Sequence, residues 1–164
     1  MRLLIILGAG GHTKQMLRLV ELLGPGYDYH YVIADYDDLS EHKIVQPGRV
    51  HRILQPREKV RGETDSLPRV LRKLPVALSQ AWRILSAARP DAVIGAGPSL
   101  QIPIALAARL RRVPVIFIET ASRVESLSLT GRLIYRYRLA DRFYVQWEQP
   151  LQRYPRARYA GRLL

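Results

Sequence analysis

With 164 residues, 48% of them hydrophobic, and no cysteine, the chain can bury one real core but not two, and disulfides, thiolate-held zinc and a cysteine nucleophile are excluded. Its 26 basic residues against 14 acidic ones give a net charge of +12, and the surplus gathers late, since from Arg109 onward twelve arginines face four acids. That field predicts an anionic partner, whether nucleic acid, an anionic membrane surface or a diphosphate.

In chain order, the apolar run at residues 3–7 reads as a strand covered on both faces, and Gly8-Ala9-Gly10-Gly11 breaks it. The run is too short for a transmembrane span, which needs about 20 residues, and for a signal peptide. Membrane contact is therefore expected to be peripheral and the compartment cytoplasmic. A helix follows, with Met16, Leu17, Leu19, Val20, Leu22 and Leu23 at helical spacing and Gly24-Pro25-Gly26 at its end.

Further strands are predicted at 29–34, 50–54, 92–94, 115–118 and 142–145, with helical stretches between most of them. The segment 35–48, rich in Asp, Ser, His and Pro, reads as a long loop. Residues 67–88 read as an amphipathic helix with Leu67, Val70, Leu71, Leu74, Leu78, Ala81, Trp82 and Leu85 on one face, kinked or divided at Pro75. Two readings fit that face: packing on the sheet, or resting Trp82 and Arg83 on a membrane interface. A strand count of about six alternating with helices predicts an α/β fold, a Rossmann-like doubly wound parallel sheet, as a single domain over residues 1–164. Ligands of such sheets lie beyond the carboxyl ends of the strands at the switch point.

Three clusters fall at that edge. Gly8, Gly10, Gly11 and Thr13, at a strand-to-helix turn, suit a phosphate or diphosphate approached by backbone N–H groups, although glycines also serve tight turns. Gly95, Gly97, Pro98 and Ser99 form a second such turn. His12, at the mouth of the cleft, is the first choice for a general base, against a structural role at the helix start. Glu119 closes a strand and either orients His12, acts as base itself, or caps the next helix, while Arg123 suits a diphosphate. His30, His42 and His51 lack metal-site spacing, so no metal is proposed. A nicotinamide oxidoreductase is the main alternative: Asp35 at the end of the second strand favours it, and Thr13, where the dinucleotide fingerprint needs glycine, weakens it. A nucleic-acid module lacks the arginine–aromatic interleaving it would need.

GAGGHTKQM, YVIADYDDLSEHKI, VIGAGP, PVIFIETASRVESLSLTGRLIY and ADRFYVQWEQPLQRYPRARYAGRL together resemble the asparagine-linked glycosylation fourteen family and its bacterial exopolysaccharide relatives of the PssD and EpsE type. The resemblance covers nearly the whole chain and is weakest over 50–89. It implies the N-terminal half of a GT-B glycosyltransferase made as a separate protein, inactive alone. A partner subunit would bind the UDP-sugar, and no other cofactor is tightly bound. This chain would bind a polyprenyl- or dolichyl-diphosphate-linked sugar, recruit the partner to the cytoplasmic membrane face, and support inverting transfer of N-acetylglucosamine or glucuronic acid. Arg162, Leu163 and Leu164 would pack on the partner. Glu119 and Arg123 match the family's ES-x-x-R-type segment with Thr120 in place of serine. Two departures stand out: Gln15 sits where many members carry an acid, and the N-terminal membrane helix of eukaryotic members has no counterpart.

Overall fold

A computed structural model describes residues 1–8, 10–56, 59–60, 63–64 and 66–163. Strand β1 (Arg2–Ile6) leads through the glycine turn into α1 (Gly11–Leu23), then β2 (Asp28–Ala34), α2 (Asp38–Glu41) and β3 (Gly48–Ile53). A two-stranded antiparallel hairpin, β4 (Lys59–Val60) and β5 (Glu63–Thr64), precedes α3 (Leu67–Ala88). The second half runs β6 (Ala92–Gly95), α4 (Gln101–Leu110), β7 (Val115–Ile118), α5 (Leu129–Arg136), β8 (Arg142–Val145), a 3-10 turn (Gln149–Gln152) and β9 (Arg158–Tyr159).

The main sheet has seven strands in the order β3-β2-β1-β6-β7-β8-β9, and every pairing in it is parallel. Strand β1 pairs with β2 on one side (Leu3 opposite Tyr29) and with β6 on the other (Leu3 opposite Ala92), so the order reverses at β1. The switch point therefore falls between the carboxyl ends of β1 and β6, where the two glycine turns were expected to meet.

The central strands are largely apolar because most of both faces is covered. Leu4, Ile6, Val32, Phe117 and Phe143 face the core shared with α3, α4 and α5, and the Phe117 and Phe143 rings stack at 4.7 Å. Leu3, Ile5, Leu7, Tyr29, Tyr31 and Ile33 face α1 through Met16, Leu17 and Val20. Burying each such large side chain contributes about 1.5–3 kcal/mol. The α1 side is only half covered. Over β6–β8 it holds an apolar groove of about 390 Å³ between Leu19, Leu22 and Leu23 of α1 and the tail Ala160–Leu163, with Ile116 and Tyr144 on its floor.

Four expectations change. The sheet has a seventh strand, β9, unread because its two residues are both exposed and carry no apolar pattern. The segment 35–48 contains α2, whose first turn is capped by the Asp37 carboxylate accepting from Ser40 N at 3.0 Å. Helix α3 is not divided at Pro75. Proline removes the bond to the carbonyl of Leu71, but Leu71 and Pro75 are both exposed, so water can satisfy that carbonyl. The stripe α3 buries is Ala77, Ala81, Ile84, Leu85 and Ala88, while Leu71 and Trp82 turn outward at 57% and 45% exposure. The predicted face mixed these because an apolar stripe drifts around a helix as long as 22 residues.

Helices α3, α4 and α5 all finish in left-handed arginines, Arg89 (φ 46), Arg112 (φ 57) and Arg138 (φ 51). Helix carboxyl ends lie at the amino ends of the strands, so these three mark the edge of the sheet opposite the glycine turns.

Candidate functional site

The carboxyl ends of β1, β6 and β7 converge on one rim. The two glycine turns touch closely: a Cβ on Gly8 would lie 2.6 Å from Cβ of Pro98, so only glycine admits this approach. Gly97 adopts φ 87, and a side chain there would meet the His12 ring at 3.4 Å and a Glu119 oxygen at 3.8 Å. Gly97 thus keeps open a niche bordered by His12 and Glu119.

His12, in the first turn of α1, reaches across the switch point and hydrogen-bonds through Nδ1 to the carbonyl of Ala96. A carbonyl only accepts, so Nδ1 carries the proton and Nε2 keeps its lone pair. Burial lowers the pKa of His12, and the Ala96 bond offsets this only in part. The ring is therefore neutral at pH 7, in the tautomer a general base requires. The N–H groups of the first turn of α1 have no intrahelical partners and carry the positive end of the helix dipole. An open cavity of about 470 Å³ adjoins them, running from Gly10 and Gly11 past Lys14 and the Arg18–Glu21 ion pair (3.2 Å) to Lys43, with Leu17 and Val45 as apolar lining.

Glu119 is buried at the end of β7 and is fully engaged. Its Oε1 accepts from Thr120 N at 2.9 Å, and its Oε2 accepts from Ser128 N at 3.0 Å and Ser128 Oγ at 3.1 Å. Desolvation raises its pKa, opposed by those bonds and by Arg123. Ser128 Oγ in turn caps α5 by accepting from Gly131 N at 2.9 Å. Glu119 therefore fixes the loop from Thr120 to Ser128, but the cap of α5 is Ser128 and not Glu119, while Arg123 stands exposed on that loop.

Other predicted residues are placed differently. The hydroxyl of Thr13 is turned inward to Gly8 O and lies 2.8 Å from Ser40 Oγ, so only its backbone can meet a ligand. The second glycine turn is braced from within: Gly97 N donates to Gln101 Oε1 at 3.2 Å, and Gln101 N and Ile102 N donate to Pro98 O and Ser99 O. Gly95 leaves room for that Gln101 side chain, and Pro98 is buried against Gly8. The amino end of α1, not of α4, thus borders the open cavity. Trp82 and Arg83 lie far along α3 on its exposed face, with Arg111 over the Trp82 ring at 4.8 Å. In the tail, Arg162 sits over the Trp147 ring at 4.4 Å and Leu163 packs on the sheet, while Leu164 lies outside the described residues.

Sequence reasoning missed Gln101, Gln146, Lys14 and Lys43, and it singled out Gln15 only as a departure from the family pattern. Polar residues at helix spacing read as solvated, and only the strand order shows that Gln15 and Gln146, 131 positions apart, meet in the interior. It also missed that His30 and His51 stack across β2 and β3, with Nδ1 and Nε2 3.0 Å apart.

A family model described as "Oligosaccharide biosynthesis protein Alg14 like" matches residues 3–163. The UDP-N-acetylglucosamine transferase subunit ALG14 of Rattus norvegicus is 34% identical over 184 residues, covering 99% of this chain and 82% of its own. Among solved structures, MurG of Acinetobacter baumannii superposes with a TM-score of 0.70 at 20% identity, covering 91% of this chain and 42% of its own. UDP-GlcNAc 2-epimerase of Methanocaldococcus jannaschii gives a TM-score of 0.70 at 16% identity, covering 99% of this chain and 46% of its own. This chain thus spans under half of those two, and the fold is the expected Rossmann-like half of a GT-B enzyme. The nicotinamide oxidoreductase alternative finds no support in these relatives.

Proposed function

The chain belongs to the Alg14-like family of oligosaccharide biosynthesis proteins, and on that premise we propose that it is the acceptor-binding, membrane-recruiting subunit of a two-subunit glycosyltransferase. A separate subunit binds most of the UDP-sugar, and this chain is inactive without it. The acceptor is a polyprenyl- or dolichyl-diphosphate-linked sugar, and the transferred sugar, by the names of the curated relatives, is N-acetylglucosamine.

The observation that carries this reading is the free Nε2 of His12 beside the amino end of α1. The acceptor diphosphate lies along Gly10, Gly11 and the amide of Thr13, with Lys14, Lys43 and Arg123 as counter-charges. The acceptor hydroxyl then points at Nε2 of His12. His12 Nε2 takes the hydroxyl proton as the oxygen attacks the anomeric carbon from the face opposite UDP, the bond to UDP breaks, and configuration inverts. Neutral His12 suits that role better than Glu119, whose oxygens already accept three hydrogen bonds.

No helix among the described residues is long and apolar enough to cross a membrane. In this proposal the chain lies peripherally on the cytoplasmic face through the outer side of α3, where Leu71, Val76 and Trp82 are exposed beside Arg72 and Arg83. The tail around Arg162 and Leu163 adjoins the partner.

The test is His12→Ala assayed with the donor subunit. Turnover falls about 100-fold or more while the two subunits still co-purify. Wild-type turnover by that variant removes His12 from the role.

A further inference from the structure

Beneath the rim, two buried glutamines form a network that the chemistry above does not use. Gln146, directly after β8, is 2% exposed and Gln15 of α1 is 3% exposed. The carboxamide oxygen of Gln146 accepts from the backbone N–H of Leu163 in the tail at 2.8 Å. Its Nε2 donates to the carbonyl of Glu119 at 3.0 Å and to Oε1 of Gln15. That same Gln15 oxygen accepts from Ala121 N at 3.0 Å. Gln15 Nε2 donates to Gly11 O at 3.2 Å and to Thr120 Oγ1 at 3.3 Å.

Each amide group therefore uses both of its N–H donors and its oxygen. Turning the Gln146 amide over would set its NH2 against the Leu163 N–H and its oxygen against the Glu119 carbonyl, so one orientation is enforced. Gln15 is held likewise, between the Ala121 N–H and the Gly11 carbonyl. A continuous chain of hydrogen bonds links the tail to the first residue of α1 and to the loop that Glu119 anchors, with its middle buried, where partial satisfaction is penalised, and its ends part-buried.

We propose that Gln146 is a positioning residue that couples the tail Ala160–Leu163 to the His12 turn and the loop beginning at Thr120. A protein that braces the tail thereby tightens the rim, and one that lifts the tail loosens it. The coupling rests on the reading of that rim as the acceptor site only for its effect on catalysis, and its structural part stands independently.

The test compares Leu163→Pro, which removes the N–H that Gln146 accepts, with Leu163→Ala, which keeps it and loses only apolar contact. In the full-length chain, amide hydrogen exchange at Thr120 and Ala121 rises about fivefold or more in Leu163→Pro and stays near wild type in Leu163→Ala, as expected for loss of one or two hydrogen bonds. Gln146→Glu separates the two halves of the network: ionised, it still accepts from Leu163 but has nothing to donate to Glu119 O or Gln15, and protonated, it can donate to only one of them. It keeps the tail protected from trypsin at Arg162 while raising exchange at Ala121. Reassembled with the donor subunit, Leu163→Pro raises KM for the lipid acceptor several-fold and leaves KM for the UDP-sugar unchanged. Wild-type exchange at Thr120 and Ala121 in Leu163→Pro, or equal effects of Pro and Ala, overturns the coupling. A wild-type assembly without transferase activity would instead defeat the proposed function, and the exchange measurements would still decide the coupling.

Discussion

The two edges of the sheet solve opposite problems with the same backbone. At the carboxyl edge, polar groups are buried and matched one to one: Glu119 accepts from Thr120 and Ser128, and Gln101 braces the Gly97 turn. At the amino edge, helices end in Arg89, Arg112 and Arg138 at positive φ, and a cavity of about 370 Å³ is lined by Arg109, Arg112 and Arg138. Among the described residues, none of Arg109, Arg112 and Arg138 is ion-paired. The first edge holds geometry with buried hydrogen bonds that salt screens little, while the second carries exposed arginines, whose charge salt screens beyond about 10 Å at 0.1 M.

The sharpest way to break this contrast is Glu119→Ala. It strands the N–H groups of Thr120 and Ser128 in the interior, so unfolding by urea should show a loss on the order of 3 kcal/mol. A loss near zero would mean that the carboxylate is no anchor. Gly8→Ala comes next, since its Cβ would collide with Pro98, and overpacking of this kind costs about 1–3 kcal/mol, read as a lower thermal midpoint.

Acid should act at buried histidines and not at the arginine edge. The pKa values of His12, His30 and His51 all lie below the usual 6.5, with burial as the largest cause. Their contribution is complete above pH 6.5 and is lost as pH falls through the lowered values, so the thermal midpoint should hold above that pH and decline below it. Glu119 has the opposite sign: its raised pKa favours the folded state while it is protonated, so Glu119→Gln should steepen the acid decline. The smallest effect belongs to the amino edge. Arg112→Gly or Arg138→Gly relieves left-handed strain but loosens the unfolded chain, for a net gain of about 0.5 kcal/mol with turnover unchanged. A large loss of activity would place function at that edge.

Much of this was legible in the sequence. Uninterrupted apolar runs such as 3–7 and 115–118 announce doubly covered strands, and glycine turns after two of them mark the switch point. His12 was readable because a titratable residue directly after a glycine turn sits at a strand's carboxyl end. The direction of Thr13 was not, since its hydroxyl meets Ser40 only once β2 has brought that residue alongside. The glutamine network was illegible for the same reason: amides carry no charge pattern, and the bonds from Gln15 to Thr120, Ala121 and Gln146 span more than a hundred positions. The stripe of α3 was misassigned because its outer half extends past the core, where apolar periodicity persists without burial.

The place of β1 in the middle of the sheet has a further consequence during synthesis. One of its neighbours, β2, follows within a few dozen residues, but the other, β6, begins only at Ala92. Until then a nascent chain carries an apolar strand with one bare edge, the kind of surface that invites association with other chains. Released fragments ending at about residue 60 should therefore depend on chaperones more than fragments ending past about residue 100.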